Sequence, residues 1–232
     1  MKKSEINNYI RKYILPSHNQ YYVDQYVMYQ TFDNGFFIKG YLFYSKGDNE
    51  MGLKLTSFIT PLFVKDDAIT YVFGEDILNV KAQGLFKKVK EVWWDTRKEN
   101  QASTFEKINN AISEQGEPIL NGIKNAKELS KRLKKDMKDN IRVYEVVAYS
   151  NILFASVEEQ NKMLKGLIKE AENERDVDWV HQIKKDAELM LSIESHNERI
   201  QLLKSWANET IGHLKLPHVK PFFRMVSSFP SV

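Results

Sequence analysis

Histidine and carboxylate side chains are the first groups to consider for chemistry, because they bind metal ions and transfer protons. His181 and His196 lie on different predicted helices. His213 and His218 lie on either side of Pro217, so they share no helical face. Zinc sites usually show ligands at short, repeated spacing, and the sequence has no such pattern. We therefore predict no metal site and interpret the histidines as solvent-facing or packed side chains.

Motifs for phosphate binding and nucleophilic catalysis are also absent from the sequence. It has no Gly-Lys-Ser or Gly-Lys-Thr after a glycine-rich loop, and no Gly-x-Ser-x-Gly elbow. The acidic and basic residues of a metal-dependent nuclease are not found on adjacent strands, since Asp48, Glu50 and Lys54 surround a predicted turn at the wrong spacing. We predict no catalytic residue and no cofactor. An enzyme whose site is assembled only in three dimensions stays an alternative.

The strongest binding signal is a basic segment over residues 121–142. It carries eight basic side chains against Glu128, Asp136 and Asp139, a local charge of 8 − 3 = +5. The basic residues are Lys124, Lys127, Lys131, Arg132, Lys134, Lys135, Lys138 and Arg142. Such a segment is typical of a surface that binds nucleic-acid phosphates or an acidic partner. Residues 86–90 followed by Trp93 and Trp94 add basic side chains interleaved with aromatic ones.

Two plainer interpretations of the basic segment stay open. It is a solvated helix face, or it faces the acidic stretch over residues 158–178, where seven acidic and four basic side chains give −3. That pairing would form within one chain or across a dimer. In both interpretations the basic segment binds no molecule other than, at most, a second copy of this chain.

A second candidate surface consists of aromatic side chains. Tryptophan is enriched at interface hot spots, so Trp94 and Trp179, which fit no apolar stripe, are candidate anchors with the protein core as the alternative. From Pro217 onward the tail is apolar and includes Phe222 and Phe223. It either packs back onto the sheet or docks on another chain, since free apolar surface is costly in water.

Composition limits the class of protein. With 34 basic and 31 acidic side chains, the net charge of +3 indicates neither a DNA-coating nor a membrane-surface protein as a whole. The chain has no cysteine, which excludes disulfides, and it shows neither a secretory h-region nor about 18 consecutive apolar residues. We expect a cytoplasmic protein without a membrane partner. Abundant Lys, Asn and Ile indicate an AT-rich bacterial or phage genome.

The pattern of the N-terminal half predicts a helix followed by an antiparallel meander. Ser4–Leu15 has a helical apolar stripe ended by Pro16, and four strands follow between Tyr22 and Phe73. Asn34-Gly35 predicts a two-residue hairpin turn, because both residues adopt positive φ at low cost. The strand after this turn is apolar on both faces, so we expect cover on both sides. Pro61 indicates an edge or a break in the third strand.

The remainder is predicted to be mostly helical. We expect a loop with a short helix over Gly74–Gly84, a helix at Leu85–Val92, and a helix after a Ser103–Glu106 capping box. Pro118 opens a further helix, whose stripe is Ile119, Ile123, Ala126, Leu129, Leu133 and Met137. Four helices follow at Val143–Phe154, Val157–Ala171, Asp176–Ile193 and His196–Leu214. Residues 143–147 have a fifth strand as an alternative.

The sequence thus predicts an α+β protein with an N-terminal helix, a four-stranded antiparallel meander and helical hairpins. We expect a sheet domain at 1–115, a helical-hairpin region at 116–216 and an apolar tail at 217–232. The functional hypothesis is a non-enzymatic protein-interaction module, an accessory or regulatory subunit of a bacterial or phage-encoded assembly. Its partner would be another protein or a second copy of itself. The main alternative is a nucleic-acid-associated protein that uses the basic segment.

Overall fold

The computed structural model describes residues 3–45, 52–65, 72–83, 88–91, 93–174 and 176–222. It has the predicted α+β class, with an N-terminal helix, an antiparallel sheet and a helical C-terminal half. The chain forms two compact units. The first comprises residues 1–32, 37–60 and 73–124, and the second comprises residues 33–36, 61–72 and 125–232. The domain boundaries expected after residues 115 and 216 stay predictions.

The first unit begins with a helix that changes its pitch. The α-helix α1, Lys3–Tyr9, continues into a π-helical turn, Ile10–Ile14, and a 3-10 turn, Leu15–Ser17. Of the predicted stripe, Ile6 and Ile10 are buried and Tyr9 and Tyr13 are half-buried, and Ile14 is buried as well. The helical segment therefore continues past Pro16 to Ser17. Proline is tolerated here because it lies at the start of the 3-10 turn, where an N–H group would have no helical partner.

The sheet follows the predicted meander and, in the described part of the chain, has six strands where four were predicted. Strands β1 to β5 pair with their sequence neighbours, and a short strand, β8, pairs with β4. The strands are β1 Tyr22–Asp24, β2 Val27–Phe32, β3 Phe37–Ser45, β4 Gly52–Pro61, β5 Phe73–Ile77 and β8 Trp94–Asp95. The strand expected to end at Phe73 instead begins there, opposite Ile59. Residues 66–71 lie outside the described part of the chain.

The Asn34-Gly35 turn is present and is wider than predicted. Phe32 pairs with Phe37, which leaves four residues in the connection. Positive φ occurs at Asp33, Asn34 and Gly35, at 48°, 57° and 86°. The turn residues were therefore predicted correctly for their backbone conformation, although the loop holds two residues more.

Strands β3 and β4 are buried on both faces, which confirms the double-sided apolar pattern. Every residue from Phe37 to Phe43 is buried, including the charged Lys39. Pro61 is the last residue of β4, and β4 lies between β3 and β5. Of the two expectations for Pro61, the break is correct and the edge position is wrong.

The helix predicted at Leu85–Val92 is wrong within the described residues. Val80–Gln83 (β6) and Lys88–Glu91 (β7) form a two-stranded antiparallel hairpin, with Val80 opposite Glu91. Lys-Val-Lys at 88–90 has the strand period of two, and this local alternation prevails over the wider helical spacing. The loop with a short helix expected over Gly74–Gly84 is wrong too, because most of β5 and all of β6 occupy it.

A broken helix closes the first unit. It consists of α2 (Gln101–Ala111), a second π-helical turn (Ile112–Gly116) and α3 (Glu117–Asn121). Phe105, Ile108 and Ile112 are buried as predicted. The predicted capping box is wrong, because the helix starts earlier and the Ser103 hydroxyl donates to the Asn100 carbonyl at 3.1 Å.

The second unit consists mainly of five helices. They are α4 Ala126–Leu133, α5 Ile141–Ile152, α6 Val157–Asn173, α7 Asp178–Ser192 and α8 His196–Leu214. The α5–α6 and α6–α7 pairs pack as helical hairpins. Residues 143–147 are helical, so their strand alternative is wrong. No described helix has both the length and the hydropathy needed to cross a bilayer.

A buried arginine joins two of these helices. Arg199 of α8 is only 1% exposed. Its guanidinium donates to the Ile193 carbonyl at 2.7 Å and, on α6, to Gln160 Oε1 at 3.0 Å and Asn161 Oδ1 at 2.6 Å. Burial lowers the pKa of Arg199. Because each of these bonds ends on an oxygen, the cation is compensated without an acidic partner.

Replacing Gly40 with Ala should strongly destabilise the first unit. An added Cβ would lie 1.9 Å from the Met28 carbonyl oxygen on β2. This backbone atom cannot move without breaking the β2–β3 pairing, so we expect the free energy of unfolding to fall by about 3 kcal/mol. Urea denaturation followed by circular dichroism measures the change.

The matched control is Gly212→Ala on α8, where an added Cβ meets no atom within 4 Å. Alanine is the better helix former, so this variant should be about 0.5–1 kcal/mol more stable. Equal stability of the two variants would contradict the close approach of β2 and β3 at Gly40.

Candidate interaction surface

The basic segment is not one helix, which corrects the continuous helix predicted from Pro118 to Met137. The chain breaks between α3 and α4, where the Asn125 side chain accepts the Glu128 N–H at 3.0 Å and begins α4. A second break separates α4 from α5, whose N-cap is Asn140. Lys124 therefore precedes α4, Arg132 lies in its last turn, and Lys138 lies in the turn before α5.

Five lysines of this segment form an exposed group, which we call the basic row. They are Lys127, Lys131, Lys134, Lys135 and Lys138, and all five are exposed. None makes an ion pair with another described residue. The buried side chains of the same segment, Ala126, Leu129 and Leu133, occupy the opposite face of α4. The row is thus available to a partner.

The acidic stretch finds basic partners elsewhere. Glu172 pairs with Lys184 at 2.8 Å, and Asp176 hydrogen-bonds to His181. In the described ranges, no ion pair joins the acidic stretch to the basic row. The contacts therefore give no support to their pairing within one chain, and pairing across a dimer stays a prediction.

Trp179 is the most exposed of the candidate aromatic anchors. It is 44% exposed and lies in the first turn of α7. The guanidinium carbon of Arg142 lies 4.9 Å from its ring centroid. Arg142 also donates to Glu145 at 2.9 Å, and that carboxylate is buried. The structure therefore brings together two residues that the sequence suggested separately.

The other aromatic candidates are less exposed or not described. Trp94 is 5% exposed on β8, which fits the core alternative and not an exposed anchor. Phe222 is half-buried and packs against Phe36, with the two rings tilted by 31° and their centroids 4.7 Å apart. Its N–H donates to Asn208 Oδ1 at 2.6 Å, so the start of the tail packs back on its own unit. Phe223 lies outside the described residues.

A polar cluster around Glu117 was not predicted. In the first unit, Glu117 Oε1 accepts from the Tyr21 hydroxyl at 3.0 Å and lies 3.6 Å from His18 Nδ1. Its Oε2 accepts from Asn121 at 2.9 Å. Lys39 reaches the same region from β3 and donates to the Leu120 carbonyl at 3.0 Å. The cluster therefore ties the sheet to α3.

The electrostatics of the Glu117 cluster favour a structural role. Burial opposes ionisation of Glu117, but hydrogen bonds from His18, Tyr21 and Asn121 outweigh it and lower its pKa. Burial, together with the Glu117 carboxylate, raises the pKa of Tyr21. The Glu117 carboxylate is hydrogen-bonded and has a low pKa, and such a carboxylate is a poor general base. The cluster therefore offers no well-solvated proton acceptor. The arrangement stabilises the fold and does not resemble a poised acid–base pair.

One sequence signal could have revealed this cluster. Lys39 interrupts an apolar strand, and burial lowers its pKa although Glu117 opposes the shift. A charged side chain inside a doubly buried strand requires a polar partner. The partner itself was unpredictable, because Glu117 is 78 residues away and begins a short helix after a π-helical turn.

A second polar cluster lies in the second unit around Asp186. Asp186 accepts from Lys65 Nζ and from Gln182, both at 3.0 Å. The Lys65 ammonium also lies 4.8 Å from the Trp206 ring, which packs on Tyr149. Asp186 occupies the apolar face of α7, three residues after Ile183, and this position was the available sequence signal. The carboxylate is again compensated internally.

The described residues form no metal site, and some of them line a hollow at the surface. No three His, Asp or Glu side chains among them are placed to hold a metal ion. A hollow of about 560 Å³ is lined by Asp178, His181, Gln182, Lys184, Lys185 and Glu188. All six belong to α7, so the hollow is a surface feature along one helix.

Comparison with known proteins gives no family for this chain, since no family model, curated protein or solved structure matches it.

Replacing Glu117 with Gln should remove a pH-dependent part of the stability. The folded-state pKa of Glu117 lies below its unfolded value, so its contribution is present at neutral pH and is lost as pH falls through the folded pKa. At pH 7 the variant should be less stable by about 1–3 kcal/mol. Urea denaturation at a series of pH values measures the difference.

Glu106→Gln is the control, because Glu106 is an exposed residue of α2 in the same unit. The difference in the free energy of unfolding between wild type and Glu117→Gln should become smaller at acid pH. The Glu106→Gln control should have the stability of wild type at every pH. If the stability difference between wild type and Glu117→Gln did not change with pH, the ionised form of Glu117 would contribute nothing to stability.

Proposed function

We propose that this chain is a non-enzymatic protein-interaction module, an accessory or regulatory subunit of a bacterial or phage-encoded assembly in the cytoplasm. The observation that supports the proposal best is the basic row, whose lysines are exposed and unpaired within the described chain. Clustered charges of one sign raise the local potential and steer partners of the opposite sign. The binding site would therefore be a surface of the helical unit.

The state of the buried polar groups also favours binding over catalysis. Glu117 and Asp186, the centres of the two polar clusters, are each held by several donors. Arg199 is likewise fully engaged with carbonyl and amide oxygens. Catalytic groups are normally left free to reach a substrate. The lysines of the basic row, by contrast, are exposed and make no ion pair with another described residue.

A nucleic-acid-associated protein is the second candidate function. The basic row would contact phosphates, and the exposed Trp179 would offer a stacking surface for an unpaired base. Binding of this kind depends steeply on salt, because each phosphate contact releases counterions.

Reversing the charge of the basic row should abolish partner binding. The test variant is Lys131→Glu, Lys134→Glu and Lys138→Glu combined, and recovery of partners from a native-host lysate should fall at least about tenfold. The tagged full chain is compared at low and high salt by quantitative mass spectrometry. Nuclease treatment in a parallel arm separates protein partners from partners bridged by nucleic acid.

The matched control reverses three exposed lysines of α6, Lys162, Lys165 and Lys169, with the same change in net charge. A partner lost equally from both triple variants would argue against a specific surface. A partner retained by the test variant would contradict the proposal.

The nucleic-acid alternative makes a different prediction. Binding to a single-stranded oligothymidine should weaken by about tenfold to a hundredfold between roughly 50 and 200 mM salt, and nuclease should remove the co-purified material. Fluorescence anisotropy with a labelled oligonucleotide measures this dependence. Undetectable binding at the lower salt would exclude the alternative.

A further inference from the structure

The starting observation is the contact between Trp179 and Arg142. The two residues lie in the first turns of α7 and α5, so the beginnings of these helices adjoin. The guanidinium carbon of Arg142 lies 4.9 Å from the indole centroid, within the range of a cation–π interaction. The indole is nevertheless 44% exposed. A large aromatic surface is thus fixed in place and still accessible.

The arginine that supports the indole is itself fixed. Arg142 NH1 donates to Glu145 Oε2 at 2.9 Å, and the Glu145 side chain is only 4% exposed. A guanidinium held by a buried carboxylate has little rotamer freedom, and the indole beside it loses little entropy on binding. Pre-organised Trp and Arg side chains are the typical hot spots of protein interfaces.

The same surface is continuous with the basic row. Lys138, the last lysine of the row, is four residues before Arg142, so at most about 14 Å of chain separates their Cα atoms. Lys134 and Lys135 occupy the same exposed turn. The row therefore leads along α4 and this turn toward the indole.

We propose that Trp179 is the anchor of the interaction surface, and that the partner is an acidic protein segment carrying one bulky apolar side chain. The acidic residues of the segment bind the basic row, and its apolar side chain packs on the open part of the indole. This inference rests on the proposed interaction function and adds the chemistry of the partner to it.

The charges around Trp179 favour a protein over a nucleic acid. Asp178 is next to the indole in sequence and is exposed, and the Asp176 side chain is 93% exposed. Asp139 adds a third exposed carboxylate, beside Lys138. These carboxylates, of which Asp178 adjoins Trp179 in the chain, would repel a phosphate backbone. In a protein segment only some residues are charged, so an uncharged side chain of the partner can lie beside these carboxylates.

Selection from a random peptide library tests the proposal with the full chain. Peptides of about 16 residues are long enough, when extended, to reach from α4 to the indole. Enriched peptides should carry net negative charge and at least one bulky apolar residue. Their affinity for Trp179→Ala should be at least about tenfold weaker, with Trp179→Phe intermediate.

The matched aromatic control is Phe154→Ala, since Phe154 is 40% exposed at the end of α5 away from Arg142. It should bind the selected peptides as wild type does. Circular dichroism of Trp179→Ala checks that α7 still forms, and Arg142→Lys, which keeps the charge but not the planar stacking, should also weaken binding.

Other outcomes overturn the proposal in distinguishable ways. Full affinity of Trp179→Ala, with loss in the Lys131, Lys134 and Lys138 charge-reversal variant, would remove the anchor but leave the proposed function intact. Enrichment of neutral or basic peptides, or none at all, would refute the acidic partner. Tighter binding of a 16-nucleotide oligothymidine than of any selected peptide would assign the surface to nucleic acid. If neither the peptides nor lysate partners respond to charge reversal, the proposed function falls as well.

Discussion

The first unit depends on the burial of residues 37–43 of strand β3, which removes one charged side chain from water. Lys39 lies among buried neighbours and must find acceptors inside the protein. Its ammonium donates to the Leu120 carbonyl at 3.0 Å, within α3, the helix that begins with Glu117. Glu117 in turn accepts from Tyr21 and Asn121. The Lys39 ammonium and the Glu117 carboxylate thus hold α3 against the sheet.

The second unit solves the same problem with different groups. Asp186 is compensated by Lys65 and Gln182, and Arg199 by oxygens of α6 and of the connection between α7 and α8. The hydrogen-bond partners of these buried charges lie inside the protein. The charges therefore contribute to packing and to the specificity of the fold, and they are little available to react with molecules from solution. The exposed lysines on α4 and in the turn after it have no such partners in the described chain. The buried charges of this unit thus stabilise its structure, and the proposed binding function rests on the exposed lysines.

Much of the fold could be predicted because its patterns are local. The helices from Val143 to Leu214 follow uninterrupted stripes, and the positive-φ turn at Asn34-Gly35 follows from the backbone preferences of two residues. The errors arose where short patterns compete. Lys88–Glu91 has both helical and strand spacing, and the helix after Pro118 breaks at Gly122–Asn125 because Asn125 caps a new one. The Arg142–Trp179 contact joins residues 37 positions apart, so only the packing of α5 against α7 could reveal it.

The second π-helical turn, Ile112–Gly116, has a consequence for the tolerance of the chain to insertions and deletions. A π-helical turn accommodates one residue more than an α-helix, and such turns are frequent at functional or tightly packed sites. Here it lets Gly116 approach the Tyr41 ring, where an added Cβ would lie 2.5 Å from Cε1. A one-residue deletion would restore a regular α-helix and rotate Glu117 by about 100° relative to Phe105. The helix would become more regular, but the Glu117 carboxylate would lose its hydrogen-bond donors. Natural insertions and deletions should therefore avoid this turn and occur elsewhere in the chain.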